Sequence, residues 1–468
     1  MMMSIMADIF LERDIFPRLL KWAARSNKGL FLRGPRQAGK TRTLMELAKS
    51  EAFPGFLYVN LRDEEIKTWW DSINGVPGWY EKFEIWLEKF KIYDVYGGAP
   101  FSGERKPLVI LDEIQESPRM FNSIRDIVRE QKVKLVATGS YLGIAEFENY
   151  FSKDKRGYFY PSGDVEVLQM YTMTYREVVR ACEQVNSDST KDDIFKYYFQ
   201  YGGYPEVVAT WLKNRNFEDC YNVLENIYSI LVKETQRYIF EPVPASAWDK
   251  LFIGVARQIE KKQDILQDYD EELTYKLRIA GSNASGRDNR ISMMQWMVSC
   301  DLLLQGDVIN NFNNTRNITK HNYYFGDQGL MYLALLHSRE HPTLAVNRGN
   351  ISGMLAENFV ALCLREVTLL LSYARKDDEI DFILRRLSDD KLISVEVKFT
   401  EGDTISSIKA LNSGYIAKII KIQKKAEDST NDITVYPLQD MDKFGEFLGY
   451  PKSYNLYTKS IMDVFNLG

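Results

Sequence analysis

The stretch Gly34-Pro35-Arg36-Gln37-Ala38-Gly39-Lys40-Thr41 fits the spacing G-x-x-x-x-G-K-[ST] at every fixed position. Those residue types at that spacing can cradle a polyphosphate. Gly34 and Gly39 let the backbone curl until its N–H groups face phosphate oxygens. A helix beginning at the end of the stretch adds a favourable dipole. Lys40 can reach β- and γ-phosphates, and the Thr41 hydroxyl is a ligand for Mg²⁺. The expected nucleotide contacts run from Gly34 to Thr41 and on to Arg42. Downstream, Asp112 and Glu113 close the apolar run Leu108-Val109-Ile110-Leu111. An acid at the end of such a strand holds Mg²⁺ directly or through water. The neighbouring Glu113 can polarise an attacking water as a general base. Beyond them, Lys134-Leu135-Val136-Ala137-Thr138-Gly139-Ser140 ends in hydroxyl residues. Thr138 or Ser140 could contact a γ-phosphate there, or the segment is an ordinary strand-to-loop turn. ATP and Mg²⁺ are the ligands these groups imply.

A second group of charged residues lies near the C-terminus. Alternation in the segment Ile393–Lys398 puts Glu396 and Lys398 on one face of a strand and Val395 and Val397 on the other. A preceding strand, Glu379–Leu384, could bring Asp381 beside them, and Glu357 sits on a helix from Gly353 to Val367. Converging carboxylates can hold Mg²⁺, which makes Glu357, Asp381 and Glu396 candidate ligands. A nearby lysine can orient water or stabilise developing charge. The bland alternative is a half-exposed strand, for which alternating charges are ordinary.

The elements that must position these groups follow from periodicity. Gly29–Leu32 reads as a buried strand leading into the loop, and Thr41–Lys49 as the helix after it. Arg13–Arg25 is amphipathic with helical spacing. Phe56–Leu61 reads as a strand, and Trp79–Phe90 has helical spacing. Strands alternating with helices imply a parallel sheet with its ligand at the strand C-termini. Asp192–Phe240 reads as several helices, with a glycine-bearing turn at Tyr201–Pro205 and Glu206 as a first-turn acid. Trp248–Gln305 looks helical, and Leu273–Leu304 has the form of a helix-turn-helix followed by a wing. For DNA contact it offers Arg287 and Arg290, diluted by Asp288 and Asp301. Ser406–Leu411 and Lys418–Lys425 read as closing helices, the latter carrying Lys418, Lys421, Lys424 and Lys425. Such a run is a solvated face or a track for a phosphate backbone.

Composition narrows the classes. The 468 residues suggest about two to four domains. A net charge of −5 supplies no global basic field, so any nucleic-acid contact must be local. The four cysteines are far apart and form no disulfide framework or metal spacing, which suits a reducing cytoplasm. His337 and His341 lack the glutamate of a zinc-binding H-E-x-x-H. Met1–Phe10 is short, interrupted by Asp8, and does not read as a signal peptide. No apolar run is long enough to predict a membrane span.

The loop, Leu111-Asp112-Glu113-Ile114-Gln115 and Ala137-Thr138-Gly139-Ser140 together resemble the AAA-type ATPases of bacteria and archaea that carry a C-terminal domain of unknown function. The same order continues in Tyr201-Gly202-Gly203-Tyr204-Pro205-Glu206, Tyr324-Phe325-Gly326-Asp327-Gln328-Gly329-Leu330, Gly353-Met354-Leu355-Ala356-Glu357-Asn358 and Glu379-Ile380-Asp381-Phe382. Where that family shows Gly-Arg, this chain has Gly163-Asp164, with Arg156 nearby and out of register. The set Glu357, Asp381, Glu396 and Lys398 resembles the PD-(D/E)XK nuclease fold. The resemblances imply an α/β chain in three parts. They are an AAA-type P-loop NTPase domain with a parallel sheet (1–185), a helical, winged-helix-like middle (186–320) and a nuclease-like α/β domain (321–468). They imply an ATPase whose hydrolysis moves the C-terminal domains on a target. Alternatives are an ATP-gated nuclease using Asp381, Glu396 and Lys398, or a nucleotide-held switch or scaffold with little turnover. DNA or a protein is the expected partner, and a homo-oligomer could lend an arginine to the site.

Overall fold

The computed structural model describes residues 10–73, 93–94, 105–139, 161, 163–238, 245–261, 294, 297–338, 350–386, 389–399, 402–424 and 429–448. The chain divides into two compact units. The boundary falls between Tyr171 and Thr172; Ser299–Asp301 belong with the N-terminal unit, and Leu302 returns to the C-terminal one.

In the N-terminal unit, α1 (Phe16–Arg25), β1 (Gly29–Arg33), α2 (Lys40–Ala48), β2 (Gly55–Asn60) and α3 (Glu64–Ile73) follow in order. Then come β3 (Tyr93–Asp94), β4 (Leu108–Asp112), α4 (Pro118–Arg129), β5 (Lys134–Thr138) and β6 (Val165–Gln169). The strands form one sheet in the order β3-β2-β4-β5-β1-β6, parallel except for the edge pair β2/β3. A parallel sheet must be covered on both faces, and the sequence supplies apolar residues for both. Leu30 and Leu32 pack with Leu44, Leu47, Ile110 and Val136 on one face. Phe31 packs with Val109, Leu111, Ile124 and Leu135 on the other. Each such side chain contributes roughly 1.5–3 kcal/mol of burial. Helix α4 starts sharply because Ser117 accepts from Met120 N at 3.2 Å and Pro118 opens the first turn. The C-terminal ends of β1, β5 and β4 lie side by side, with β5 between the other two. That edge is where a doubly covered parallel sheet places its ligand.

The C-terminal unit opens with α5 (Tyr175–Gln184) and α6 (Lys191–Tyr201), each begun by a capping box, Thr174 with Glu177 and Thr190 with Asp193. Helices α7 (Pro205–Asn214), α8 (Phe217–Tyr238) and α9 (Ala245–Lys261) follow. Next are β7 (Leu303–Ile309), β8 (Ile318–Phe325), α10 (Gln328–His337), α11 (Ile351–Leu364), β9 (Leu371–Arg375) and β10 (Asp378–Ile380). The last are β11 (Phe382–Arg385), β12 (Leu392–Lys398), α12 (Ile405–Asn412), β13 (Ile419–Gln423), β14 (Ile433–Pro437) and α13 (Phe444–Phe447). Two four-stranded sheets result, β10-β9-β7-β8 and β11-β12-β13-β14. Tyr175, Phe195, Tyr198 and Phe199 surround Phe359 of α11.

The turn between α6 and α7 is tied to α10 by one buried carboxylate. Gly202 has φ +70, and a Cβ there would overlap Asp327 Oδ1. Asp327 Oδ2 accepts from Gly203 N at 2.9 Å, and Oδ1 accepts from Gly329 N at 2.8 Å, capping α10. Asp327 is 1% exposed, and that burial raises its carboxyl above the ordinary carboxylate range. Glu206 is a first-turn acid of α7, as expected.

Several expectations change. Leu303–Gln305 are strand, not helix: they pair with Tyr323–Phe325 of β8, and that ladder outweighs local helical spacing. A domain boundary at 320/321 would fall inside β8, and the strands on either side of it share a sheet. Lys418–Lys425 is not a closing helix. Ile419, Ile420 and Ile422 are buried in β13 between β12 and β14. The strand expected over Glu379–Leu384 breaks at Asp381, β10 and β11 belonging to different sheets. The Asp381 carbonyl accepts from Ser372 Oγ at 2.8 Å instead of joining a ladder. The helix at Trp79–Phe90, most of the helix-turn-helix with Arg287 and Arg290, Arg156, Lys425 and Ser140 lie outside the described residues.

Candidate active site

The phosphate-binding stretch forms a tight loop between β1 and α2. Gly34 has φ +148, where a Cβ would overlap the Met170 carbonyl oxygen, and Gly39 has φ +90 at the start of the helix. Lys40 is buried, and its Nζ donates to Gly34 O at 2.8 Å and Pro35 O at 2.7 Å. Burial pushes the lysine down to about 8, partly offset by Glu113 and then Asp112. A buried cation lined up with the loop carbonyls is a ready partner for an anion. Arg13, just before α1, donates to Ala38 O at 2.7 Å and to Tyr171 O at 2.6 Å, fixing the loop from behind.

Asp112 meets the loop across the sheet edge. Its Oδ2 accepts from Thr41 Oγ1 and from Tyr58 OH, both at 2.8 Å, and its Oδ1 accepts from Glu113 N at 2.9 Å. Burial, then the Asp112 carboxylate, raises the Tyr58 phenol. A hydroxyl and a carboxylate side by side are hard oxygen donors of the kind Mg²⁺ takes, so the residues fit that ion. Glu113 follows with φ +54. Its Oε2 accepts from Gln115 Nε2 at 2.6 Å, and Arg62 stands 3.7 Å from Oε1. Here Mg²⁺ would sit on Thr41 and Asp112, a phosphate chain along the loop N–H groups and Lys40, and the base at Glu113.

Other expected residues take different places. The Thr138 hydroxyl donates to Leu32 O at 2.8 Å, deep in the sheet, so it serves as a strand cross-link. Arg42 pairs with Glu46 at 3.2 Å one turn along α2. Arg36 adds positive charge that lowers Lys40. Asp164, at the position where the resembling family shows arginine, pairs with Arg125 at 3.0 Å and Arg129 at 3.1 Å. The hydrogen bond from Arg129 is the main reason its carboxyl lies low. Sequence reasoning passed over Arg13 and Tyr58, because neither is near the motif in sequence. It also missed that Asp301 is among the charges acting on Lys40.

In the C-terminal unit, β11, β12 and α12 bring Asp381, Glu396, Lys398 and Ser407 together. Lys398 Nζ is 3.1 Å from Glu396 Oε2 and 3.7 Å from Asp381 Oδ2. Ser407 Oγ donates to Glu396 Oε1 at 2.6 Å, and Val397 N donates to Asp381 Oδ2 at 2.9 Å. Glu396 is 3% exposed; burial raises its carboxyl, and Asp381 adds to that. Glu357 on α11 accepts from Tyr324 OH at 3.4 Å. Among the described residues no group of three or more His, Cys, Asp or Glu side chains is placed to hold a metal ion, so Glu357, Asp381 and Glu396 do not form a three-carboxylate site. No described helix is long and apolar enough to cross a membrane.

Residues 26–179 match the family model of an AAA domain, and residues 352–444 match that of a domain of unknown function, DUF4143. No curated protein matches the chain. Among solved structures, a Walker-type ATPase of Pyrococcus abyssi is similar at 14% identity and a TM-score of 0.43, over 69% of this chain and 96% of that one. AMPPCP-bound DnaA of Aquifex aeolicus is similar at 12% identity and a TM-score of 0.31, over 61% of this chain and 85% of that one. The N-terminal region is thus an AAA-type domain with the parallel sheet of P-loop NTPases, followed by further α/β sheets.

Proposed function

We propose that the chain is a Mg²⁺-dependent ATPase whose hydrolysis moves its C-terminal region on a target. The observation that carries this reading is the 2.8 Å contact between Thr41 Oγ1 and Asp112 Oδ2, which joins the loop to the acid pair. The loop N–H groups and Lys40 would hold the β- and γ-phosphates, with Thr41 and Asp112 holding Mg²⁺. When bound, that ion neutralises charge on the phosphates. Glu113 takes a proton as water attacks the γ-phosphorus; the bond to the ADP oxygen breaks, releasing ADP and phosphate. Either DNA or a protein is the target in this reading, and a neighbouring copy of the chain would supply any missing arginine.

The test is phosphate release from Mg-ATP, with and without DNA. Lys40→Ala should lose nucleotide binding; Glu113→Gln should keep binding and stop turnover. Wild-type turnover by Glu113→Gln sinks the base assignment. Tight binding without turnover in the wild-type protein would make it a nucleotide-held switch.

One cluster favours a second reading, phosphodiester cleavage gated by ATP. Lys398 beside the buried Glu396 and the Asp381 carboxylate sets a cation next to two acids, the groups a metal-assisted hydrolysis uses.

A further inference from the structure

The carboxylate at Glu113 is held from one side by a short, buried device. Gln115 lies on the single 3₁₀ turn Ile114–Glu116, and its Nε2 donates to Glu113 Oε2 at 2.6 Å. Its other amide atom, Oε1, lies over Gly139, the residue that follows β5. A Cβ at Gly139 would overlap that oxygen and stand 3.2 Å from Gln115 Cδ. The amide therefore spans from the end of β5 to Glu113, and it fits only because residue 139 has no side chain. Arg62 approaches the other carboxylate oxygen at 3.7 Å from a partly exposed position, so it supplies charge more than direction.

We propose that Gln115 is a positioning residue for the general base and that Gly139 is the glycine that makes room for it. This rests on the reading of Glu113 as the base. A glutamate has three side-chain torsions, and a base must sit within hydrogen-bond reach of the water it activates. A donor fixed on a rigid turn removes that freedom before substrate arrives. Losing such alignment costs on the order of 10–100-fold in rate, without a matching loss in binding.

Gln115→Met keeps the length and the packing and removes the donor. It should lower kcat about 10–100-fold and leave KM and the affinity for a non-hydrolysable ATP analogue unchanged. Gly139→Ala should reproduce that split by displacing the amide. In a Glu113→Asp background, where the shortened carboxylate no longer meets the amide, Gln115→Met should cause no further loss of the residual rate, because the two side chains act as one unit. Wild-type kcat in Gln115→Met overturns the proposal, as does a parallel loss of analogue affinity. The same fold-loss in the Glu113→Asp background also overturns it, since the glutamine would then act by another route. Wild-type turnover by Glu113→Gln alone removes the base reading and this proposal with it, an outcome distinct from the other three.

Discussion

Replacing Asp327 with alanine should loosen the C-terminal unit by a predictable amount. Its two carboxylate oxygens satisfy two different buried amides, Gly203 N and Gly329 N. Alanine leaves both without an acceptor, at about 1–3 kcal/mol each; the bond from Gly329 N is also the cap of α10, so its loss is counted once. Relief of the desolvated charge offsets part of that, leaving a net loss of about 2–4 kcal/mol. Asparagine keeps one acceptor oxygen and should lose about 1–2 kcal/mol. Hydrogen exchange read by mass spectrometry on peptides around Gly203 and Gly329 reports this locally. A factor of ten in exchange corresponds to about 1.4 kcal/mol when opening is at equilibrium. Alanine should therefore speed exchange roughly 30-fold or more, and asparagine about tenfold. The pH dependence has a fixed sign. A carboxyl raised in the folded state favours folding most when protonated, so the wild-type advantage over alanine should grow as pH falls through the raised value. Wild-type exchange in both variants, or equal loss in the two, would refute the claim that each oxygen serves its own amide.

Other outcomes follow from the same geometry. Lys40 lies at about 8, so affinity for ATP should hold below that pH and fall above it as the lysine loses its proton. The fall should approach tenfold per pH unit until the bound-state value is reached; equal Kd at pH 7 and 9.5 would contradict it. Gly34→Ala should abolish ATP binding, because a Cβ there meets backbone, the Met170 carbonyl, at a φ that side chains avoid. Calorimetric titration giving wild-type affinity would rule that out. On the reading of ATP-gated cleavage, Asp381→Ala and Lys398→Ala should each remove metal-dependent nicking of DNA while sparing ATP hydrolysis; residual nicking equal to wild type would point to a contaminant.

The glycine loop and the acid pair were legible in the sequence because each is local and its spacing is fixed. A glycine loop needs bare Cα atoms at set offsets, and an acid pair must close a buried strand. What brings the two together is the sheet order, with β5 lying between their strands, and no local signal reports it. Tyr58 and Arg13 are invisible for the same reason: one is a strand residue that meets Asp112 across the β2/β4 ladder, the other reaches the loop from outside it. The apolar run at Leu303–Gln305 and the isoleucines of Ile419–Ile422 were misread as helical. Short apolar runs have no decisive period, and neighbouring strands settle them. The C-terminal group was half legible. Alternation along β12 correctly placed Glu396 beside Lys398, while Ser407 and the break at Asp381 depend on contacts between elements.

That break has a bearing on descent. Asp381 is the residue at which the chain leaves one sheet and enters the other, flanked by Ile380 and Phe382, both fully enclosed. The place of its carboxylate is thus inherited from two sheets at once, which share a core that includes Ile309, Ile380, Ile383 and Ile419. Lineages that remodel either sheet would shift the acid without ever changing it. If the acid is used, its two apolar neighbours should drift as slowly as the acid itself; if it has fallen idle, the neighbours should hold steady while position 381 wanders.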